Sequence, residues 1–371
     1  MACRYMTFDT SRVQNQKMPM IIYGTAWKQD QTANLVYEAL KAGFRAIDTG
    51  SSSKHYNEEG AGVGIRRACA EGLVQRSDLF IQTKVSLLDP AFTNFRDQYS
   101  TVSSFVHASV ASSMSKLCSV DLGSPPYLDC VLLHEMYEDM EETLEAWRAL
   151  EKHVPSQIRL IGMCNVTDRH ALEKTLAVLA LNHLQPPDVI QNGFLPAQVV
   201  EAMGRLGDGY DHAIREDCAG YNLEKRTPYQ AFWVLTANTY VWKKEWYVLG
   251  LASVLGISPA AAWYALLISL DIVVLNGTRN VQHMKEDIEG VKRALAWRDD
   301  VASGKHVWRM CLEEVAGLTN TSLGITSWFK EDTNRAYEQE LKGEAQASVD
   351  RSTVQGVLKS EAEKLRKTFM Y

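Results

Sequence analysis

Eight short apolar runs recur between residues 20 and 290, and longer segments separate each run from the next. The runs are MIIYGTA, FRAIDTG, LFIQTKV, LDCVLLHE, IRLIGMCN, DVIQNGF, TPYQAFW and DIVVLNGT. Continuous apolar runs of this length are typical of parallel strands that are buried on both faces. The segment TANLVYEALKAG, by contrast, repeats its apolar residues at helical spacing and stops at Gly43. The alternation predicts successive βα units.

Eight such units favour one particular α/β architecture, a closed (β/α)8 TIM barrel. They occupy about 270 residues, close to the roughly 250 residues that this barrel typically needs. A doubly wound sheet is the alternative, but no G-x-G-x-x-G motif follows the first strand. Two further segments have helical periodicity, MEETLEAWRALEKHV and DRHALEKTLAVLALNHL, and Asp168 is the predicted N-cap of the second.

The end of the chain has a different pattern. Residues 291–371 are charged and helix-prone, with Gly and Ser breaks and no strand pattern. We therefore expect a barrel over residues 1–290 and a helical C-terminal extension over residues 291–371. A separate interaction module is the alternative for this extension.

Composition disfavours nucleic acid and membranes as partners, and it disfavours disulfide and metal sites. The net charge is −6, whereas a nucleic-acid interface needs concentrated Lys and Arg. No long uncharged apolar run is present, so we expect no membrane span. The seven cysteines are scattered without CxxC spacing, which favours free thiols in a reducing compartment over a disulfide framework or a metal site. The expected location is the cytoplasm.

Polar residues end three successive apolar runs, at Asp48, Lys84 and His134, and Tyr56 follows the first of them. Each residue alone also fits an ordinary core or surface position. In a (β/α)8 barrel, however, the strand ends meet at the active-site face. Together the four residues suit proton transfer to a carbonyl oxygen: Tyr56 donates, Lys84 lowers its pKa, Asp48 orients Lys84, and His134 bonds the substrate oxygen. None is a hydride source, so a reduction would require a nicotinamide cofactor.

Several short motifs, in order, carry a resemblance to a known family. They are GTAWK, KAGFRAIDT with KHYNEE, DLFIQTK, LDCVLLH, TLEAWRALE with IRLIGMCN, and HMKEDI. The sequence resembles the aldo-keto reductase superfamily over residues 18–290, most closely its fungal members. The resemblance implies that Asp48, Tyr56, Lys84 and His134 form a catalytic tetrad. It also implies an NADP(H)-dependent oxidoreductase that reduces an aldehyde or ketone.

The same resemblance implies cofactor-binding residues. Asn165 and Gln191 match the residues that hold the nicotinamide carboxamide, Cys164 stands where Ser is usual, and Phe232 falls where an aromatic side chain stacks on the ring. At the adenosine end, Gly277, Thr278 and His283 occupy the positions of a Lys/Ser/Arg clamp for the 2′-phosphate, and Arg279 or Lys285 is the candidate substitute. The further candidates are Thr25, Asp48, Trp233, Leu235, Glu286 and Asp287. NADP(H) is favoured, and NAD(H) is the alternative.

The candidate substrate-binding residues are Trp27, Tyr56 and His134. Trp27, Phe232 and Trp233 predict an aromatic-lined pocket for a bulky apolar carbonyl compound, of the kind found in fungal secondary metabolism; a place in the barrel core is the alternative for Trp233. Two other functions stay open. The acid/base set can serve a cyclisation, dehydration or isomerisation with little net reduction, or the protein can be a cofactor-sensing binding subunit. The sequence does not decide the oligomeric state.

Overall fold

The structure is a computed structural model that describes residues 4–10, 12, 14–86, 98–118, 125–137, 139–166, 169–195, 227–300 and 302–319. The chain starts with an antiparallel hairpin, in which Tyr5 pairs with Pro19 and Phe8 with Gln16. Its strands are β1 Tyr5–Phe8 and β2 Gln16–Pro19. The sequence did not predict this hairpin, because its residues are too polar to form an apolar run.

Eight parallel strands follow and close into a barrel, in the order β10-β3-β4-β5-β6-β7-β8-β9. These strands are β3 Ile21–Gly24, β4 Ala46–Asp48, β5 Phe80–Val85, β6 Leu128–Leu133, β7 Ile158–Cys164, β8 Val189–Gly193, β9 Tyr229–Phe232 and β10 Ile272–Asn276. Each one falls within one of the eight predicted apolar runs. Almost every strand residue is buried, as expected for a sheet covered on both faces. The (β/α)8 prediction is confirmed.

Helices connect the strands. They are α1 Thr32–Ala42, α2 Glu58–Ala70, α3 Val102–Leu117, α4 Met140–Glu151, α5 Arg169–Leu181, α6 Thr239–Lys244, α7 Trp246–Leu255, α8 Pro259–Ser269, α9 Val281–Asp300 and α10 Ala302–Thr319, with short 3-10 turns at Gln29–Gln31 and Arg76–Asp78. Helix α1 ends at Gly43, whose φ of 110° suits a residue without a Cβ. Asn57 caps α2 by accepting a hydrogen bond from Gly60 N. The predicted cap Asp168 lies outside the described residues.

The chain divides into two compact units. One comprises residues 1–233 and 273–284, and contains the barrel strands apart from Ile272; the other comprises residues 234–272 and 285–371. In the second unit, Arg298 Nη1 and Trp308 Nε1 both donate to Ser269 Oγ. The expected boundary at residue 290 falls inside α9, and residues 320–371 lie outside the described part, so the division at 290 stays a prediction.

In the described part of the chain, no single helix is long and apolar enough to cross a membrane. Helices α7 and α8 pass the same test of length and composition only as a pair, and the pair is bent by 108°.

Candidate active site

The four predicted tetrad residues come together at the carboxyl ends of β4, β5 and β6. Asp48 ends β4, Lys84 is the penultimate residue of β5, and His134 directly follows β6. Lys84 Nζ lies 2.5 Å from Asp48 Oδ2 and donates to Thr49 O at 2.9 Å. The Lys84 ammonium also lies 5.0 Å from the centre of the Tyr56 ring, and that ring is 5.9 Å from the imidazole of His134.

Burial and charge set the protonation of this group. Burial raises the pKa of Tyr56 to about 12, and the Lys84 ammonium acts against that rise. Burial alone would lower the pKa of Lys84, but Asp48, Tyr56 and Cys164 together act against burial, and the pKa of Lys84 is raised. Burial, together with the positive charges of Lys84 and His55, lowers the pKa of His134 to about 3. The site therefore combines an ammonium, a protonated phenol and a neutral imidazole at neutral pH.

The sequence did not predict that Glu135 lies beside the His134 ring, or that Ser86 binds Glu135. Ser86 Oγ donates to the Glu135 carboxylate at 2.9 Å and 3.1 Å, and Glu135 Oε2 lies 3.5 Å from His134 Nδ1. That Nδ1 is buried and has no hydrogen-bond partner among the described residues. The only sequence signal was a Glu directly after the strand-ending His.

The carboxamide-binding candidates lie beside the tetrad. Asn165 has a φ of 54° and donates from Nδ2 to His134 O at 2.8 Å. Gln191 Nε2 donates to Asp48 Oδ1 at 3.1 Å, and the Cys164 thiol lies 3.5 Å from Gln191 Oε1. Burial raises the pKa of Cys164 to about 12, so this thiol stays protonated. Thr25, another candidate, donates through Oγ1 to the backbone oxygen of Asp48.

Two tryptophans follow barrel strands in a backbone conformation that bulky residues rarely adopt. Trp27 and Trp233 have φ values of 63° and 59° and are 53% and 41% exposed. The rings of Trp27 and His55 are 4.4 Å apart between centres and inclined by 57°, and Trp233 meets Phe232 edge to face at 5.3 Å. Neither tryptophan belongs to the barrel core. Strained backbone of this kind concentrates at ligand-binding positions.

The segment after β10 carries the adenosine-end candidates Gly277, Thr278 and Arg279. Arg279 Nη2 donates to the backbone oxygen of Trp27, and Lys28 Nζ donates to Gly277 O at 3.1 Å. Burial, and then the charge of Arg279, lowers the pKa of Lys28 to about 8. Within the described part of the chain, neither cation forms an ion pair with a carboxylate. Lys28 was not among the predicted residues, because the motif GTAWK gives no sign that its Lys is buried.

The remaining candidates lie near the start of α9 or in the second unit. His283 and Lys285 are exposed residues of the first turns of α9. Glu286 and Asp287 also lie on α9, and Leu235 follows Val234 at the start of the second unit. The described residues contain no group of three or more His, Cys, Asp or Glu side chains that could hold a metal ion.

The sequence is similar to proteins of a known family. The model of the Aldo/keto reductase family matches residues 15–205. The chain is 31% identical over 193 residues to an NAD(P)H-dependent D-xylose reductase of Pachysolen tannophilus, covering 45% of this chain and 53% of that protein. It is 30% identical over 200 residues to an NADPH-dependent D-xylose reductase of Meyerozyma guilliermondii, covering 47% and 60%. The matched region thus spans little more than half of these relatives.

Solved structures match the fold at lower sequence identity. An aldo-keto reductase from a deep-sea metagenome library superimposes with a TM-score of 0.57 at 19% identity, covering 80% of this chain and 92% of the other. An aldo-keto reductase of the silkworm Bombyx mori, complexed with NADPH, has a TM-score of 0.57 at 18% identity and covers 84% and 88%.

Proposed function

The chain belongs to the aldo/keto reductase family, and from that membership we propose that it reduces an aldehyde or ketone to an alcohol, with NADP(H) as the favoured cofactor. The observation that carries this proposal is the buried Lys84–Asp48 pair next to Tyr56 and His134. The names of its curated relatives support the choice of cofactor, since they are NAD(P)H-dependent or NADPH-dependent reductases.

The four tetrad side chains have separate tasks in this proposal. Tyr56 gives its phenolic proton to the carbonyl oxygen as negative charge develops there. Lys84 stabilises the phenolate that Tyr56 becomes, and Asp48 holds Lys84 in place. His134, neutral because its pKa is lowered to about 3, offers a hydrogen bond rather than a charge to the substrate oxygen.

The residues present fit a nicotinamide nucleotide. Asn165 and Gln191 supply amide groups beside the tetrad, and the half-buried ring of Phe232 supplies a stacking face. Lys28 and Arg279, cations without a carboxylate partner in the described part of the chain, suit an anionic phosphate. When bound, the nucleotide supplies the hydride.

The exposed Trp27 and Trp233 support a bulky apolar carbonyl substrate over a sugar. The curated relatives above are named for D-xylose, so a pentose is the natural comparison substrate. A role in secondary metabolism follows only if the bulky substrate is preferred.

One observation favours a second function. Gly277 has no side chain to grip a 2′-phosphate, and a Cβ there would meet open space. A weakened grip on the nucleotide would suit an isomerisation, cyclisation or dehydration by the same acid/base set. The hydrogen bond from Lys28 Nζ to Gly277 O is evidence against this alternative, because it places a cation beside Gly277.

Nucleotide titration and a substrate panel test the proposal. Intrinsic tryptophan fluorescence should report binding of NADPH, since Trp27 and Trp233 are exposed beside the site. The panel compares D-xylose with aromatic and polycyclic aldehydes and ketones, followed through the nicotinamide absorbance. Turnover of a bulky carbonyl supports the proposal. Nucleotide binding without oxidation of NADPH by any carbonyl would contradict it.

A further inference from the structure

Three glutamine side chains form a buried layer beneath the tetrad. Gln82 lies on β5, Gln191 on β8 and Gln230 on β9, and their exposed fractions are 0%, 1% and 0%. Strands β5 and β9 are four apart in the eight-strand order, so the layer joins opposite sides of the barrel. Neutral amides in a barrel core are costly unless their hydrogen bonds are satisfied.

The three amides bond directly to one another. Gln82 Nε2 donates to Gln230 Oε1 at 2.8 Å, and Gln230 Nε2 returns a hydrogen bond to Gln82 Oε1 at 2.9 Å. Gln191 Nε2 donates to the same Gln230 Oε1 at 2.7 Å. A closed network of this kind fixes the orientation of every amide in it.

Of the three remaining amide hydrogens, two converge on one oxygen of Asp48, and the third, from Gln230 Nε2, points to Met18 Sδ at 3.2 Å. Gln82 Nε2 lies 2.7 Å from Asp48 Oδ1 and Gln191 Nε2 lies 3.1 Å from it. The other oxygen, Oδ2, receives Lys84 at 2.5 Å. The carboxylate is therefore held from both sides, and its two oxygens have different partners.

We propose that Gln82 and Gln230 are positioning residues, which together with Gln191 hold the Asp48 carboxylate so that Oδ2 alone serves Lys84. Through Lys84 they control how well Tyr56 gives up its proton. The inference rests on the proposed reductase function. It goes beyond a packing role, because an apolar layer of the same volume would fill the barrel but leave Oδ1 without donors.

A pair of substitutions at Gln82 separates positioning from packing. Gln82→Met keeps the volume and removes the donor, and we expect kcat to fall about tenfold or more with KM nearly unchanged. Gln82→Glu places a carboxyl group next to Asp48. While protonated, that group still donates to Oδ1; once ionised, it repels the carboxylate. We therefore expect kcat of Gln82→Glu to approach the wild-type value at acidic pH and to fall as pH rises, a descending limb that Gln82→Met lacks.

Asn192 provides the matched control. It is a buried amide on β8, and among the described residues its side chain exchanges hydrogen bonds with the backbone of Val166 alone, at 2.8 Å and 3.1 Å. Asn192→Asp makes the same change from amide to carboxyl without touching Asp48. We expect it to lower stability without creating the acid-side recovery of kcat. Equal pH profiles for Gln82→Glu and Asn192→Asp, or wild-type kcat in Gln82→Met, would overturn the proposal.

An unfolding cycle needs no activity and keeps the two proposals distinguishable. If the wild type reduces no carbonyl, the proposed reductase function is wrong. The contact between Gln82 and Asp48 can still be tested, by comparing the free energies of unfolding of Gln82→Met, Asp48→Asn and the double variant. If the two substitutions are coupled by a factor of about ten in the unfolding equilibrium constant, the result supports the proposal that Gln82 fixes the Asp48 carboxylate. Additive effects of the two substitutions overturn it, and so does coupling without any change in kcat in an active enzyme.

Discussion

Lys84 Nζ and Asp48 Oδ2 form an ion pair of 2.5 Å in which the side chains are only 1% and 3% exposed. Two charges so deeply buried cost much desolvation energy and are stable only as a pair. The Lys84 ammonium of this pair also lies 5.0 Å from the centre of the Tyr56 ring. A change at this pair should therefore affect both the stability of the fold and the proposed proton transfer from Tyr56.

Lys84→Met should therefore do two kinds of damage. It removes the cation that favours the Tyr56 phenolate, and it leaves the Asp48 carboxylate buried without its partner. We expect a loss of about 3–5 kcal/mol in the free energy of unfolding, measured by denaturant titration, along with loss of turnover. The double variant Lys84→Met/Asp48→Asn should regain most of the stability and none of the activity. Recovery of turnover in the double variant would contradict the role of Lys84.

Tyr56→Phe should remove the proton donor without disturbing nucleotide binding. General acid catalysis contributes about 10²–10⁴ in rate, so kcat should fall by that factor or more. The dissociation constant of NADPH, measured by tryptophan fluorescence, should stay within a few-fold of the wild-type value. A variant that keeps most of its turnover would show that another group supplies the proton.

His134 makes the folded protein sensitive to acid. Its pKa is lowered to about 3 by burial and by the charges of Lys84 and His55, whereas a histidine in the unfolded chain titrates near about 6.5. Between these values the unfolded state binds the extra proton, so stability rises with pH across that window and is lost as pH falls. His134→Gln should flatten the dependence of Tm on pH between about pH 4 and 6. An equally steep dependence in the variant would assign the acid sensitivity to other groups.

The sequence predicted that Asp48, Lys84 and His134 lie together, because parallel strands in a barrel bring their carboxyl ends to one face. Asp48, Lys84 and His134 are recognisable as polar residues that end apolar runs. Gln82 and Gln230 escaped notice for the opposite reason. Each lies inside its run, where a single amide looks like a tolerated interruption, and only the closed barrel shows that amides from β5 and β9 meet.

The proposed phosphate-binding end was harder to predict because its cations come from separate parts of the chain. Gly277 looked like a lost contact in the sequence, but Lys28, which lies 249 positions away, donates to its backbone oxygen. Spacing within one motif cannot reveal a contact over so long a separation in the sequence. The β1/β2 hairpin was missed because its polar residues conceal a buried Met18 at 0% exposure.

The last prediction concerns the choice between NADPH and NADH. If Lys28 and Arg279 bind the 2′-phosphate, the affinity for NADPH should fall as pH rises through about 8, the lowered pKa of Lys28, because the ammonium then loses its proton. NADH has no 2′-phosphate, so its affinity should change little over the same range. Arg279→Ala should cost NADPH about 1.5–3 kcal/mol of binding free energy, the usual value of a hydrogen bond to a charged group, and cost NADH little. His283→Ala is a companion variant, since the exposed side chain of His283 lies shortly after Arg279 in the chain.

The test of whether Lys28 and Arg279 bind the 2′-phosphate is a set of dissociation constants. They are measured for both nucleotides at pH 7 and pH 9, in wild type, Lys28→Met and Arg279→Ala. Lys28→Met should abolish the pH dependence of NADPH binding, because the titrating group is gone. If the two nucleotides weaken in parallel, the cations contact the pyrophosphate that both share, and the 2′-phosphate is not recognised here. Tighter binding of NADH than of NADPH throughout would reverse the proposed cofactor preference, since a cationic site that accepts the 2′-phosphate must favour the nucleotide with the greater negative charge.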